Sequence, residues 1–157
     1  MSAPVLLERR IVSGDAAATR ELGARLAPAA RAGDLICLRG DLGAGKTQIA
    51  KGFGAGLGVT DPILSPTFIL MAEYAGRLPL FHVDLYRLAD AGDALAGGLL
   101  DERQADGVTL VEWPERMGVL LPAARLDVTI EGSGDEPRTI TFHAGQPELA
   151  RYLETLP

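Results

Sequence analysis

The chain has 157 residues, of which 47% are hydrophobic and 23% are charged, values close to those of soluble globular domains. This length supports one sizeable core, so we expect a single domain over residues 1–157 and exclude disordered, coiled-coil and collagen-like chains. The formal net charge is −6, and an acidic chain is a poor candidate for binding nucleic acid by itself, because phosphate binding needs a cationic surface.

The single cysteine can form neither an internal disulfide nor a cysteine-based zinc site. The first residues show no basic segment followed by a long apolar core, and no apolar run reaches the roughly 18 residues that a membrane helix needs. We therefore expect a cytoplasmic protein without membrane contact. The chain also contains two lysines, Lys46 and Lys51, beside thirteen arginines, and no asparagine. A lysine kept in such a chain indicates a role that the planar guanidinium does not fill.

The predicted elements begin with an edge strand over residues 5–12, where apolar and charged side chains mix. A helix is predicted over 16–27, after the start signal Ser13-Gly14-Asp15, with Leu22 and Leu26 on one face. A short apolar run over 35–38, bounded by polar residues, is typical of a buried central strand.

The next predicted element is a helix over 46–57, whose three glycines each cost about 1 kcal/mol relative to alanine, so packing or a ligand must stabilise it. The later elements are shorter: strands are expected over 68–74, 78–84, 108–111, 126–130 and 138–142, and helices over 90–106 and 148–156. The last two strands flank Gly132-Ser133-Gly134-Asp135, which predicts an antiparallel hairpin. Buried strands that alternate with helices predict an α/β sheet, which the hairpins make mixed.

Residues 40–47, Gly-Asp-Leu-Gly-Ala-Gly-Lys-Thr, fit the P-loop pattern G-x-x-x-x-G-K-[ST]. Backbone N–H groups at a helix N-terminus favour anions, and glycines let the backbone approach a phosphate closely. Lys46 is expected to reach the β- and γ-phosphates, and the Thr47 hydroxyl to bind Mg²⁺. The predicted nucleotide-binding residues of this loop are Asp41, Leu42, Gly43, Ala44, Gly45, Lys46 and Thr47. The fold expected is therefore a P-loop NTPase-like mixed sheet with helices on both faces and an antiparallel C-terminal hairpin.

Two acidic residues each follow a buried strand. Asp84 ends the run 80–84, and Glu112 comes directly after 108–111. Ligands of open α/β sheets lie at the carboxyl ends of the strands, so we expect both carboxylates at the metal and the attacking water. Lys46, Asp84 and Glu112 are the predicted catalytic residues, and Thr47, Asp84 and Glu112 the predicted metal ligands. The residues alone leave open which carboxylate positions the water.

Trp113, the only tryptophan, follows Glu112 and precedes Pro114. Stacking near the nucleotide, facing a partner and partly buried packing all remain open for it. Ser65 and Thr67 lie between the P-loop helix and the next strand, where such proteins carry a loop that senses the γ-phosphate, although a strand entry stiffened by proline is an equal alternative.

Other titratable residues are expected to have ordinary structural roles. His82 and His143 are interpreted as strand residues, because neither has a partner at ligand spacing. Cys37 lies in a predicted core strand and is interpreted as a small buried hydrophobe. Arg87 and Arg116 follow the two strands that end in acids, and we expect both to be exposed.

Four motifs occur in order along the chain: the P-loop at 40–47, Ser-Pro-Thr-Phe at 65–68, His-Val-Asp-Leu-Tyr-Arg-Leu at 82–88 and Val-Glu-Trp-Pro-Glu at 111–115. From about residue 13 to about residue 122 the chain thereby resembles the bacterial TsaE (YjeE) family. That family comprises small ATPases of tRNA threonylcarbamoyladenosine biosynthesis.

The resemblance implies a P-loop α/β fold that binds ATP and Mg²⁺ and works with a TsaB–TsaD pair. That pair transfers a threonylcarbamoyl group to adenosine 37 of tRNAs that read codons beginning with A. The resemblance further implies that this chain hydrolyses ATP in support of the pair, does not transfer the group itself and meets tRNA only through the complex. By position it assigns Lys46 and Thr47 to phosphate and metal, Asp84 and Glu112 to the metal and water, and Thr19 to the vicinity of the nucleotide. We add Trp113 to the predicted nucleotide-binding residues.

Three other functions are weighed against this one. A small GTPase usually reads guanine with Asn-Lys-x-Asp, which a chain without asparagine lacks. A small-molecule kinase usually closes an arginine-rich lid over the phosphates, and the sequence shows no such cluster. A non-catalytic nucleotide switch remains open, although two acids at strand ends favour hydrolysis.

Overall fold

The computed structural model describes residues 6–64, 71–87 and 102–157. The strands in this part of the chain are β1 Glu8–Ser13, β2 Leu35–Arg39, β3 Met71–Tyr74, β4 Leu80–Asp84, β5 Val108–Glu112, β6 Leu126–Glu131 and β7 Arg138–Ala144. The helices are α1 Ala16–Leu26, α2 Lys46–Gly56 and a final turn, α3 Arg151–Glu154. Short 3₁₀ segments cover Ala27–Ala29, Glu102–Asp106, Pro114–Leu120 and Pro147–Ala150.

The strands form one mixed sheet of order β1-β7-β6-β2-β5-β4-β3. Strand β2 is parallel to β5 and to β6, and β4 is parallel to β5. The pairs β1–β7, β6–β7 and β3–β4 are antiparallel. The carboxyl ends of β2, β4 and β5 therefore meet at one edge of the sheet, where the P-loop and both predicted acids follow their strands. The mixed sheet, the edge position of β1 and the C-terminal hairpin are confirmed.

The two faces of the sheet carry cores of different size. Ile36 and Leu38 point from β2 into the larger core, which the fully buried Leu26 of α1 and Phe53 of α2 complete. The C-terminal Tyr152 joins this same core. The intervening residues of β2, Leu35 and Cys37, face the smaller core, together with Val83, Leu85, Val111 and Met117.

Local signals explain where the first elements begin and end. Asp15 caps α1, since its Oδ1 accepts a hydrogen bond from the N–H of Ala18 at 2.7 Å.

Cys37 is fully buried, as predicted, and burial raises the pKa of its thiol to about 12. The predicted helix over 148–156 is wrong in its extent, because Pro147–Ala150 form a 3₁₀ turn and only Arg151–Glu154 are α-helical.

Two other expected elements lie partly outside the described residues. Of the helix predicted over 90–106, the structure describes 102–106, and this segment is a 3₁₀ helix rather than an α-helix. Of the strand predicted over 68–74, it describes 71–74, which form β3.

In the described part of the chain the smaller core is covered by the 3₁₀ segment Pro114–Leu120, whose Met117 packs into it.

Glycines allow α1 and α2 to approach each other closely. A Cβ on Gly52 would lie 1.8 Å from the carbonyl oxygen of Arg20, and a Cβ on Gly23 would lie 2.3 Å from that of Ile49. These distances leave no room for a methyl group against backbone. The glycines that weaken α2 as an isolated helix are therefore what permits its packing against α1.

We expect Gly52→Ala to destabilise the protein by about 2–3 kcal/mol, because the new methyl group forces the two helices apart. Helix propensity alone predicts the opposite sign, a gain of about 1 kcal/mol. The free energy of unfolding measured in urea shows which sign is correct. Gly14→Ala is the matched control, since a Cβ there meets no atom within 4 Å. Equal stabilities of the two variants would contradict the close helix contact.

Candidate nucleotide-binding site

A cavity of about 570 Å³ opens at the carboxyl edge of the parallel strands. Its walls come from the start of α1, the P-loop with the start of α2, the ends of β4 and β5, and the tip of the β6–β7 hairpin. All predicted site residues that the structure describes line this cavity except Asp41, which is exposed beside it. Ser65 and Thr67 lie outside the described residues.

The P-loop takes a shape that glycine makes possible. Gly43 and Gly45 have φ values of 79° and 122°, in the region that other residues rarely adopt. Gly45 is the N-cap of α2, so the helix begins at the cavity wall with Lys46 and Thr47 in its first turn. The positive end of the α2 dipole thus lies where the loop surrounds the cavity, which is the arrangement that favours a phosphate.

The ammonium group of Lys46 is held in the wall of the cavity by two contacts. Lys46 is 5% exposed, its Nζ donates a hydrogen bond to the carbonyl oxygen of Gly40 at 2.5 Å, and it lies 3.7 Å from the ring centroid of Trp113. Burial lowers the pKa of Lys46, while the charges of Glu112 and Asp84 act against that shift. The lysine side chain is therefore already ordered, which reduces the entropy lost when an anion binds.

The two predicted carboxylates lie side by side, because Asp84 and Glu112 are direct partners in the parallel pairing of β4 with β5. Burial raises the pKa of Asp84; the N–H of Tyr86, which donates to its Oδ1 at 2.9 Å, acts against this, and the charge of Glu112 adds to it. Two neighbouring carboxylates repel each other, and a cation between them relieves that repulsion.

The donor set fits a magnesium ion that is shared with a nucleotide. In residues 6–64, 71–87 and 102–157, no group of three or more His, Cys, Asp and Glu side chains is arranged to hold a metal ion. Mg²⁺ characteristically takes one or two carboxylates from the protein and completes its shell with phosphates and water, and Asp84 and Glu112 are a set of that kind. Thr47 lines the same cavity. Metal binding by these three residues stays a prediction.

His82 is a strand residue, as the sequence interpretation expected, but it has a partner that spacing along the sequence does not indicate. Its Nε2 lies 2.7 Å from Oε2 of Glu112, and its side chain is completely buried. This partner lies on the neighbouring strand and not nearby in the sequence. His82 is paired with Leu110 in the sheet, so Glu112 is two residues further along the same face. His143 is half-exposed near Glu8, as expected for an ordinary strand residue.

The structure places Trp113 at the cavity wall. Its ring contacts the Lys46 ammonium and lies 5.0 Å from the ring of Tyr86, at an angle of 48°. Its backbone has φ 59° and ψ 48°, the left-handed conformation, and no other non-glycine residue in the described ranges has a positive φ. Such a conformation costs about 1 kcal/mol or more and clusters at functional sites. Trp113 also packs, partly buried, against the smaller core, which confirms that one of the three interpretations. A position beside a bound nucleotide stays a prediction.

The hairpin tip is a wall of the cavity that the sequence interpretation missed. The cavity is lined there by Gly134, Asp135 and Glu136. Arg138 links this tip to the P-loop by hydrogen bonds. Nε of Arg138 donates to the carbonyl oxygen of Ala44 at 2.9 Å, and its Nη2 to that of Gly134 at 3.0 Å. Nothing in the local sequence of the hairpin indicates this contact, which depends on β6 lying beside β2.

Thr19 of α1 lines the same cavity, and its place near a nucleotide stays a prediction. It is 2% exposed, its hydroxyl lies 2.7 Å from that of Ser13, and a Cβ built on Gly45 would lie 3.5 Å from its methyl group. Arg87 and Arg116 are both exposed, which confirms that expectation.

A parallel sheet core, a P-loop between β2 and α2, and acids at the ends of β4 and β5 define a P-loop NTPase-like α/β protein. The family model "Threonylcarbamoyl adenosine biosynthesis protein TsaE" matches residues 13–140, and the chain belongs to the TsaE family. No helix in the described ranges combines the length and the apolar character needed to cross a bilayer.

Individual relatives agree with the family match. A Bacillus subtilis protein named tRNA threonylcarbamoyladenosine biosynthesis protein TsaE is 45% identical over 127 residues, which cover 80% of this chain and 79% of the relative. A Treponema pallidum protein of the same name is 39% identical over 84% of this chain and 98% of its own length. The crystal structure of YdiB from Bacillus subtilis superposes with a TM-score of 0.80 at 36% identity, covering 98% of this chain and 95% of YdiB.

Proposed function

We propose that this protein is a Mg²⁺-dependent ATPase that supports formation of the threonylcarbamoyl group on adenosine 37 of tRNAs reading codons that begin with A. It works with TsaD-like and TsaB-like proteins and does not transfer the group itself. Membership of the TsaE family supports the place in tRNA modification, since the relatives carry that biosynthetic name.

One observation carries the proposal of ATP hydrolysis: a buried ammonium and two carboxylates that act on its charge line the same cavity. Lys46 supplies one positive charge there, whereas Asp84 and Glu112 would repel a bare triphosphate. The arrangement is favourable when a divalent cation accompanies the phosphates, which favours a magnesium–nucleotide complex over a free nucleotide. Bound Mg²⁺ would neutralise the charge on the β- and γ-phosphate oxygens.

In the proposed hydrolysis, individual side chains have different roles. Lys46 binds the terminal phosphates and stabilises the charge that develops on them. In this proposal Glu112 orients a water molecule and accepts its proton; its position at the cavity and its hydrogen bond to His82 support this choice over Asp84. The P-loop and the tip of the β6–β7 hairpin form two walls of the cavity, and Arg138 links them.

We expect ATP turnover to be slow for the chain alone and to rise when the partner pair and tRNA are added. The net charge of −6 opposes binding to the phosphates of tRNA, so the chain alone is expected to bind tRNA weakly. In this proposal the partner proteins bind the tRNA. Phosphate release and filter binding, each across a salt series, measure the two quantities. Tight, salt-sensitive binding of tRNA by the isolated chain would contradict this division of roles.

A nucleotide-dependent switch without a catalytic role is the second candidate. Trp113 favours it: the residue is strained, contacts Lys46 and leads directly into the surface segment Pro114–Leu120. Phosphates that bind Lys46 would change that contact, and binding alone would then alter the surface offered to a partner.

A further inference from the structure

His82 and Glu112 form a buried side-chain contact between two neighbouring strands of the sheet. His82 lies on β4, between the partner residues Ala72 of β3 and Leu110 of β5, and its side chain has no exposed surface. Glu112 is 3% exposed. A carboxylate buried to this extent needs a hydrogen-bond donor to offset its lost hydration, and the imidazole supplies one at 2.7 Å.

The environment of the ring indicates which nitrogen carries the proton. Nδ1 of His82 is buried and has no hydrogen-bond partner among the described residues. A proton on Nδ1 would leave a buried N–H unsatisfied and would set the lone pair of Nε2 against a carboxylate oxygen. A ring whose proton is on Nε2 avoids both costs and makes that nitrogen the donor to Oε2 of Glu112.

We propose that His82 is a positioning residue: its Nε2–H holds Oε2 of Glu112 and leaves Oε1 as the carboxylate oxygen available to the cavity. This inference rests on the proposed hydrolysis of ATP, in which Glu112 orients the water. Without the donor, the carboxylate can rotate or turn towards the Lys46 ammonium, whose charge already influences this part of the site. His82 itself does not line the cavity and touches no substrate.

The position of the proton is tested first, without any turnover. The chain has two histidines, so two imidazoles contribute to a long-range ¹H–¹⁵N correlation spectrum, and His143→Gln assigns them. We expect His82 to show a protonated Nε2 and an unprotonated Nδ1, and Glu112→Ala to remove the hydrogen-bond shift of the Nε2 proton. An Nε2 without a proton in the unaltered protein would overturn the inference.

The role in positioning is tested with a matched pair of substitutions. His82→Gln keeps an N–H donor at similar reach, whereas His82→Leu fills similar space without one. Loss of such a supporting contact is expected to lower kcat by roughly 10- to 100-fold. We expect His82→Leu to lose this much with KM and calorimetric Kd for ATP within about twofold, and His82→Gln to recover most of the rate. His143→Gln is the control for loss of a histidine.

Failure of the inference and failure of the proposed function give different results. If the unaltered protein hydrolyses no ATP even with its partners and tRNA, the proposed function fails, and the spectrum still tests the hydrogen bond. If it hydrolyses ATP and His82→Leu keeps its kcat, His82 has no positioning role. Should His82→Leu not fold, His82→Gln decides: a rate as low as that of Glu112→Ala in a folded protein would overturn the inference.

Discussion

Lys46→Ala is expected to weaken ATP binding by about 30-fold or more, because it removes the buried cation opposite two carboxylates and leaves their charge uncompensated. The combined Lys46→Ala, Thr47→Ala protein is expected to bind still more weakly, since a predicted metal ligand is lost as well. Calorimetric titration with ATP and Mg²⁺ measures both effects.

The second lysine of the chain provides the control for Lys46. Lys51 lies about 1.4 turns further along α2, is half-buried and lines a different cleft. Lys51→Ala therefore removes the same charge from the same helix. Its ATP affinity is expected to stay within about twofold of the original. Undiminished affinity after truncation of both Lys46 and Thr47 would refute the nucleotide site.

Glu112→Gln is expected to retain ATP binding while lowering kcat about 100-fold or more, because an amide cannot accept the proton of the attacking water. The amide oxygen can still accept the Nε2–H of His82, so the local structure should survive. Single-turnover hydrolysis, calorimetry and tRNA modification by the reconstituted complex give the three readouts. Glu154→Gln, an exposed carboxylate on α3, is the matched control.

This variant also separates catalysis from switching. If Glu112→Gln loses hydrolysis and tRNA modification together, turnover is what the complex requires. If modification continues at the original rate while hydrolysis stops, nucleotide binding alone is sufficient, and the strained Trp113 becomes the element through which binding acts.

The parts of the fold that local signals specify could be predicted from the sequence. Apolar runs of four or five residues gave the central strands β2, β4 and β5 within a residue or two of their ends. The order of the sheet could not be predicted, since β1 pairs with β7 across most of the chain. Propensity also misjudged α2: it counted Gly52 as a weakness, whereas contact with Arg20 requires it.

The same division holds for the site. The P-loop and the acids Asp84 and Glu112 were found because their spacing and their places after strands are local features. His82 and Arg138 were missed because each acts across strands, and only the register brings their partners within reach. The alternation of β4 and β5 would have indicated His82 once the two strands were known to be parallel neighbours.

The position of Trp113 has a practical consequence. It is the only indole in the chain, so all tryptophan emission from this protein reports on one ring that lies 3.7 Å from the Lys46 ammonium. An unlabelled sample thus carries its own optical probe beside the P-loop lysine, and stopped-flow mixing with ATP can test in real time whether the proposed nucleotide arrives and departs there.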